Sequence, residues 1–337
     1  MNLYMKNVFF VIIFLIISVQ VFSQENVNGN LNDEIIIGNK ILTIYNPYKY
    51  TDWKGSMRLK GQMHAHSTNS DGSFASDSVA RLLATVGYDF WTMTDHNVIT
   101  PEPASNSLIW MGNSYEHSNT NQHVCVYLAD EIGLLDKKIN ALIKSFAAKG
   151  NSILNYAHPW TPLNKSLSST IKGLTFVEVW NNGTIKSMEW DVLLSKNHKV
   201  FALAVDDFHR LEHLKTGWIE VLCQEKTTEN IWYNLLKGNY YCVNGIGPHP
   251  SHRINAIQLE NIDIKDGRLV VKTQNTGLSI TFIGKNGVIL LTANDVSEAY
   301  YAFDGTESYV RVQIQLGKMI LWTQPIFILS KRKNYEF

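Results

Sequence analysis

At 337 residues the chain is long enough for a large core and for two domains. It is 45% hydrophobic and 18% charged, an ordinary globular balance, and its 30 basic residues are matched by 30 acidic ones. A neutral balance carries no electrostatic signature of nucleic-acid or anionic-membrane binding, so the expected partner is a small substrate and not nucleic acid.

Residues 1–23 read as a signal peptide: Lys6, an apolar run over 8–19, and a cleavage point after Ser23. The run is short for a bilayer span, and an uncleaved anchor is the alternative. The mature protein is expected to be secreted or periplasmic, with no stable membrane insertion. Residues 24–52 form a polar leader with a short hairpin over 34–45.

The stretch Gln62-Met63-His64-Ala65-His66-Ser67-Thr68-Asn69-Ser70-Asp71-Gly72 follows a strand-like run over 57–63. Alternation along a strand puts His64 and His66 on one side, and Asp71 sits on a turn closed by Gly72. A helix capped by Ser76 buries Val79, Leu82, Leu83 and Val86 and stops at Gly87. Strand-like runs then end at Asp95-His96, at Glu116, at His158-Pro159 and at Asp206-Asp207-Phe208-His209, while His123 opens a run over 123–128. A second helix, capped by Asp136, turns Ile139, Leu142, Ile143 and Phe146 inward, and a third covers 229–236. This alternation over 53–250 argues for a parallel sheet, open or closed into a barrel. After Pro248 the texture changes to short β-type runs separated by turns such as Asp266-Gly267 and Asn286-Gly287, read as a C-terminal antiparallel β-sandwich over 254–337. Cys125, Cys223 and Cys242 read as core residues, with a Cys223–Cys242 bridge as the alternative.

The polar residues at the strand ends form one set: His64, His66, Asp71, His96, Glu116, His123, His158, Asp207 and His209. Singly, each histidine reads as a surface or hydrogen-bonded residue. Jointly, six imidazoles and three carboxylates without a thiolate are too many for one ion and suit two or three divalent transition-metal ions such as Mn, Zn or Fe. In an α/β barrel such strand ends converge on one face.

These residues resemble the PHP (polymerase and histidinol phosphatase) domain over about 60–247. The carriers are HAHSTNSDG at 64–72, TDHN at 94–97, Glu116 with HVCVYL at 123–128, AHP at 157–159 and DFH at 207–209. The resemblance implies a distorted (β/α)7, TIM-like barrel with three neighbouring metal sites. His64, His66, Glu116 and Asp207 would hold one ion. Glu116 would bridge to a second, with His123 and His158. Asp71, His96 and His209 would hold a third, and Asp95 would orient an imidazole.

The expected function is a secreted metal-dependent phosphoesterase acting on a small phosphomonoester or phosphodiester. Attack by a metal-bridging hydroxide would be supported by Glu116, with Asp207 or His209 protonating the leaving alcohol. Lys165, Arg210 and Arg253 are candidate phosphate contacts, each weighed against solvated surface charge. His249 and His252 lie on a loop near the domain junction, and His117, His198 and His213 read as surface. The alternatives are a metal-dependent hydrolase of another bond (amide or lactone) and a catalytically silent binding module.

Overall fold

The computed structural model describes residues 31–118, 122–133, 138–149, 153–159, 173–245 and 257–333. The signal segment, Asp136, Lys165, His249, His252 and Arg253 lie outside them.

The chain opens with a hairpin, β1 (Asn32–Ile37) and β2 (Lys40–Tyr45). The segment that leads to the site follows as β3 (Met57–Gln62), α1 (Ser76–Thr85), β4 (Phe90–Trp91), β5 (Ile109–Trp110), β6 (Ser114–His117) and β7 (His123–Tyr127). Next come α2 (Ile139–Lys149), β8 (Ile153–Ala157), β9 (Phe176–Asn181), β10 (Thr184–Ile185), α3 (Ser187–Ser195) and β11 (Phe201–Val205). β12 (Gly217–Cys223), α4 (Thr228–Lys237) and β13 (Tyr240–Asn244) complete this part. The C-terminal strands are β14 (Leu259–Lys265), β15 (Arg268–Thr273), β16 (Leu278–Ile283), β17 (Ile289–Val296), β18 (Glu298–Ala302), β19 (Tyr309–Leu316), β20 (Met319–Thr323) and β21 (Ile326–Lys333).

The helices form where apolar residues recur at helical spacing between stop signals. α1 buries Val79, Ala80 and Leu83. In α4 the Thr227 side chain accepts a hydrogen bond from the Asn230 N–H at 3.2 Å, and Gly238 ends the helix in the left-handed region at φ 78°. Its inner face buries Ile231, Trp232 and Leu235, each worth roughly 1.5–3 kcal/mol on burial.

Among the described residues no sheet closes on itself. One sheet of twelve strands runs β1-β2-β21-β19-β20-β13-β12-β3-β4-β5, with β16 and β17 branching from β19. A second, of six strands, runs β10-β9-β8-β7-β6 with β11 on β9. Only four α-helices occur among the described residues. The ends of the two sheets meet through two isolated bridges, Ala65 with Phe208 and His96 with Glu116. Alternating strand and helix signals cannot reveal closure, and several junctions run antiparallel where the barrel reading expected parallel ones: β6 with β7, β7 with β8, and β3 with β12.

The C-terminal strands are antiparallel. β14, β15 and β18 form a layer of their own, while β19 and β20 continue the large sheet through β13. β21 also takes up the N-terminal hairpin through β2. The basic residues at 331–333 belong to this paired strand. Trp322 and Phe327 are buried, Trp322 beside Trp180 and Phe327 beside Tyr45 and Phe201. All three cysteines are buried and free, so the Cys223–Cys242 bridge is absent.

Candidate metal centre

The segments that follow β3, β4, β8 and β11 come together with β6 and the start of β7, and the nine candidate residues meet there. His64 and His66 lie just past β3 on an extended segment held by the His66 N–H to the Phe208 carbonyl at 2.8 Å. Their period-two spacing brings the two Nε2 atoms within 3.0 Å of each other. The next loop folds back so tightly that a Cβ on Gly72 would fall 2.4 Å from the His66 carbonyl oxygen, which requires glycine there. The Ser73 N–H donates to the His209 carbonyl, fixing the loop that carries Asp71.

His123 opens its strand, yet it sits with residues that close theirs. β7 runs antiparallel to β8, so His123 pairs with Ala157 and lies beside His158. Glu116, on β6, reaches the middle of the cluster. Its Oε2 is 3.1 Å from His64 Nε2, 3.3 Å from His66 Nε2 and 3.1 Å from His96 Nδ1. Its Oε1 is 2.9 Å from His123 Nδ1 and 2.8 Å from His158 Nε2. Asp207 Oδ1 lies 3.2 Å from both His64 Nε2 and His66 Nε2. On the outer side, Asp71 approaches His209 Nε2 at 3.2 Å, His96 Nε2 at 3.5 Å and His66 Nδ1 at 3.7 Å. The carboxylate of Glu116 is thus divided between two histidine groups, and Asp71 gathers a third that also includes His66.

The chemistry of this donor set suits cations. His64 Nδ1 lies 2.8 Å from Glu178, so the tautomer that satisfies that carboxylate is Nδ1–H. His64 Nε2 is then a lone pair facing carboxylate oxygens: acceptor against acceptor. The same holds on the outer side, where His209 Nδ1 donates to the Asp207 carbonyl and turns Nε2 toward Asp71. Asp207 Oδ1 and His96 Nδ1 are buried without a hydrogen bond. Only positive charge, as a proton or a metal ion, relieves such an arrangement. Donors around a tetrahedral ion with bonds of ~2.0–2.1 Å lie roughly 3.3 Å apart, close to the separations found here.

The electrostatics agree. Burial alone would lower the His66 imidazole, but the neighbouring carboxylates of Asp207 and Glu116 outweigh it and carry it up to about 9. His64 is raised well above the usual value against the same burial, chiefly by Asp207, and His158 is raised by Glu116. Burial opposes ionisation of Glu116 and Asp207, yet the charge on His64 and the other neighbouring imidazoles hold both well below the usual carboxylate range. Burial pushes the Cys125 thiol, 3.7 Å from His64 Nδ1, up to about 12, so it stays a thiol.

Several expectations change. Asp95 touches no imidazole: it accepts from the Ser67 N–H, from the Ser67, Ser70 and Thr100 hydroxyls, and so braces the loop before Asp71. A buried carboxylate surrounded by hydroxyls binds them first. Arg210 is exposed and lies 3.7 Å from Glu212, the solvated-charge outcome. His117 is buried, not on the surface, and His213 is half-buried with Nδ1 2.9 Å from the Asp207 carbonyl. Asp206 accepts from the Tyr88 hydroxyl and from the N–H groups of Lys215, Thr216 and Gly217, which steadies Asp207 in the left-handed region at φ 50°.

No family model and no curated protein matches this chain. Among solved structures, a two-domain protein containing a predicted PHP-like metal-dependent phosphoesterase from Bacteroides vulgatus is similar at 14% identity and a TM-score of 0.44, over 86% of this chain and 95% of that one. The lesion-specific Endonuclease Q of Pyrococcus furiosus is similar at 15% identity and a TM-score of 0.41, over 60% of this chain and 62% of that one. Endonuclease Q in complex with a 27-mer duplex carrying an abasic lesion gives 14% and 0.41, over 53% and 56%. PHP-like phosphoesterases thus stand among the similar structures, but at these scores the functional argument rests on the residues. The expectation that excluded nucleic acid as a partner is withdrawn. Endonuclease Q takes a DNA duplex, and net charge says nothing about how charge is placed at a site.

Proposed function

We propose that this chain is a metal-dependent phosphoric ester hydrolase, with His64, His66, Asp71, His96, Glu116, His123, His158, Asp207 and His209 holding two or three divalent ions. One observation supports this most: Glu116 turns one oxygen to His64 and His66 and the other to His123 and His158, in a cluster where lone pairs face lone pairs. Divalent ions in such a cluster acidify water and neutralise charge on phosphate oxygens. Glu116 spaces the two inner groups of imidazoles. Asp207, ionised at neutral pH, serves to bind and not to donate a proton. His209 lies at the rim, 23% exposed, but its Nδ1–H is given to the Asp207 carbonyl, its Nε2 faces Asp71 and burial holds the imidazole below its usual value, so it too serves to bind, and the leaving oxygen takes its proton from water.

Burial of His64, His66 and Glu116 supports a substrate that brings only a phosphoryl group to the cluster, a phosphomonoester or the linkage of a diester. Secretion rests on the sequence pattern of residues 1–23, and amino-terminal sequencing of the mature protein tests it. For the activity, purified protein is assayed with Mn²⁺, Zn²⁺ or Fe²⁺ against p-nitrophenyl phosphate, bis-p-nitrophenyl phosphate and duplex DNA with an abasic site, beside a chelated control. Metal-dependent turnover of a phosphate ester is expected. Cleavage of an amide or lactone with no turnover of any phosphate ester contradicts the proposal.

A further inference from the structure

We infer that Glu178 is a positioning residue that sets the orientation of His64 and the backbone of His158, and so aligns the histidine groups on both sides of Glu116; this rests on the metal-dependent reading above. Glu178 lies in the middle of β9, in the run Phe176-Val177-Glu178-Val179-Trp180-Asn181, all of it buried. A carboxylate in such a strand is strongly unfavourable unless its lone pairs are met.

They are met completely. Oε1 accepts from His64 Nδ1 at 2.8 Å and from Asn155 Nδ2 at 2.9 Å. Oε2 accepts from the His158 backbone N–H at 2.6 Å and from Asn181 Nδ2 at 2.8 Å. Four donors saturate the four lone-pair directions of a carboxylate. Asn155 and Asn181 come from the neighbouring parallel strands β8 and β9 and hold the carboxylate in place. The other two donors belong to the cluster, one from each inner group.

The consequences for the two histidines differ. At His64, Glu178 fixes the proton on Nδ1 and leaves Nε2 as the lone pair toward Glu116 and Asp207. At His158 it anchors a residue with φ 22°, outside the regions that side chains ordinarily adopt. That conformation turns the ring so that Nε2 reaches Glu116 Oε1. One buried side chain therefore aligns one ligand from each of two neighbouring groups, while the outer group of Asp71, His96 and His209 has no bond to it.

The test is a zinc titration of the metal-depleted full chain by calorimetry, for the wild type, Glu178→Gln and Glu220→Gln. Glu220 is another buried carboxylate, bonded to Trp218 and Tyr241 away from the cluster. Glutamine keeps the shape of Glu178 but turns an amide N–H toward donors. Glu178→Gln is expected to weaken zinc at the two inner groups by roughly 10–100-fold and to leave the outer group unchanged. Glu220→Gln should leave all of them unchanged. Uniform weakening of every site, or unchanged inner sites, overturns the inference. If Glu178→Gln does not fold, nitrogen-15 NMR of zinc-loaded wild-type protein decides: Nδ1–H at His64 supports the inference, and Nε2–H overturns it. Wild-type protein that binds no zinc, manganese or iron defeats the metal reading and the inference together. Tight wild-type binding with an unaffected Glu178→Gln defeats the inference alone.

Discussion

Two buried carboxylate sites can be set side by side. Asp191, on α3, faces Arg311 on β19: Oδ1 accepts from Arg311 Nε at 2.8 Å and from the Tyr309 hydroxyl at 2.9 Å, and Oδ2 accepts from Arg311 Nη2 at 2.6 Å. This carboxylate carries its own permanent cation in a two-pronged geometry, and it joins α3 to the C-terminal strands. Glu116 is as deeply placed and Asp207 is half-buried beside it, yet only imidazoles surround them. An imidazole can give up its proton, so the positive charge there is exchangeable. A carboxylate that serves the fold is matched by a guanidinium; one that serves chemistry is left to groups that can trade a proton for a metal ion.

The sharpest way to break this contrast is to neutralise each carboxylate. Glu116→Gln should lower phosphoesterase turnover on the order of 10³-fold while the protein stays folded, read by initial rates and circular dichroism. Asp191→Asn should do the reverse. Losing one partner of a buried pair costs about 3–5 kcal/mol, seen as a fall in Tm, while turnover per folded molecule is retained. If both substitutions reduce stability alone, the contrast fails.

The exchange itself can be measured. With His66 carried up to about 9 and His64 and His158 also raised, the metal-free cluster holds protons at pH 7. Zinc addition at pH 7 should therefore release protons, detected by calorimetry in buffers of different ionisation enthalpy. The sign follows: protons compete with the ion below about pH 9, so apparent affinity rises with pH up to that point and the release fades above it. Binding without proton release would contradict the exchange.

A smaller effect is expected in stability. An ion present at 100 times its Kd stabilises the folded state by about 2.7 kcal/mol, so a chelator should lower Tm in the wild type and much less in Glu116→Gln. The smallest effect concerns Arg210. An exposed cation contributes ~0.2–1 kcal/mol to an anion, so Arg210→Ala should raise KM for a phosphate ester by less than about fivefold and leave kcat unchanged.

The cluster was readable because its residues stand where apolar runs stop, and because His64 and His66 keep the two-residue period. His123 was the exception at a strand start, and the antiparallel register of β7 against β8 accounts for it. Glu178 was not read, although a lone acidic residue within Phe176-Val177-Glu178-Val179-Trp180 is a signal: an apolar strand gives it no solvent. Which of an open and a closed sheet the strands form was not readable, because closure depends on pairings such as β3 with β12 between segments far apart in the chain. The same limit hid the continuity of β13 with β20, which joins the C-terminal strands to the sheet that carries β3.

The central claim is most directly tested by anomalous X-ray diffraction from crystals grown with Mn²⁺ or Zn²⁺. The account predicts two or three anomalous peaks, one within roughly 2.0–2.2 Å of His64 Nε2 and a Glu116 oxygen, and another near His123 and His158. Crystals at saturating metal that show no peak between these side chains, with the imidazoles bonded only to the carboxylates, would contradict it.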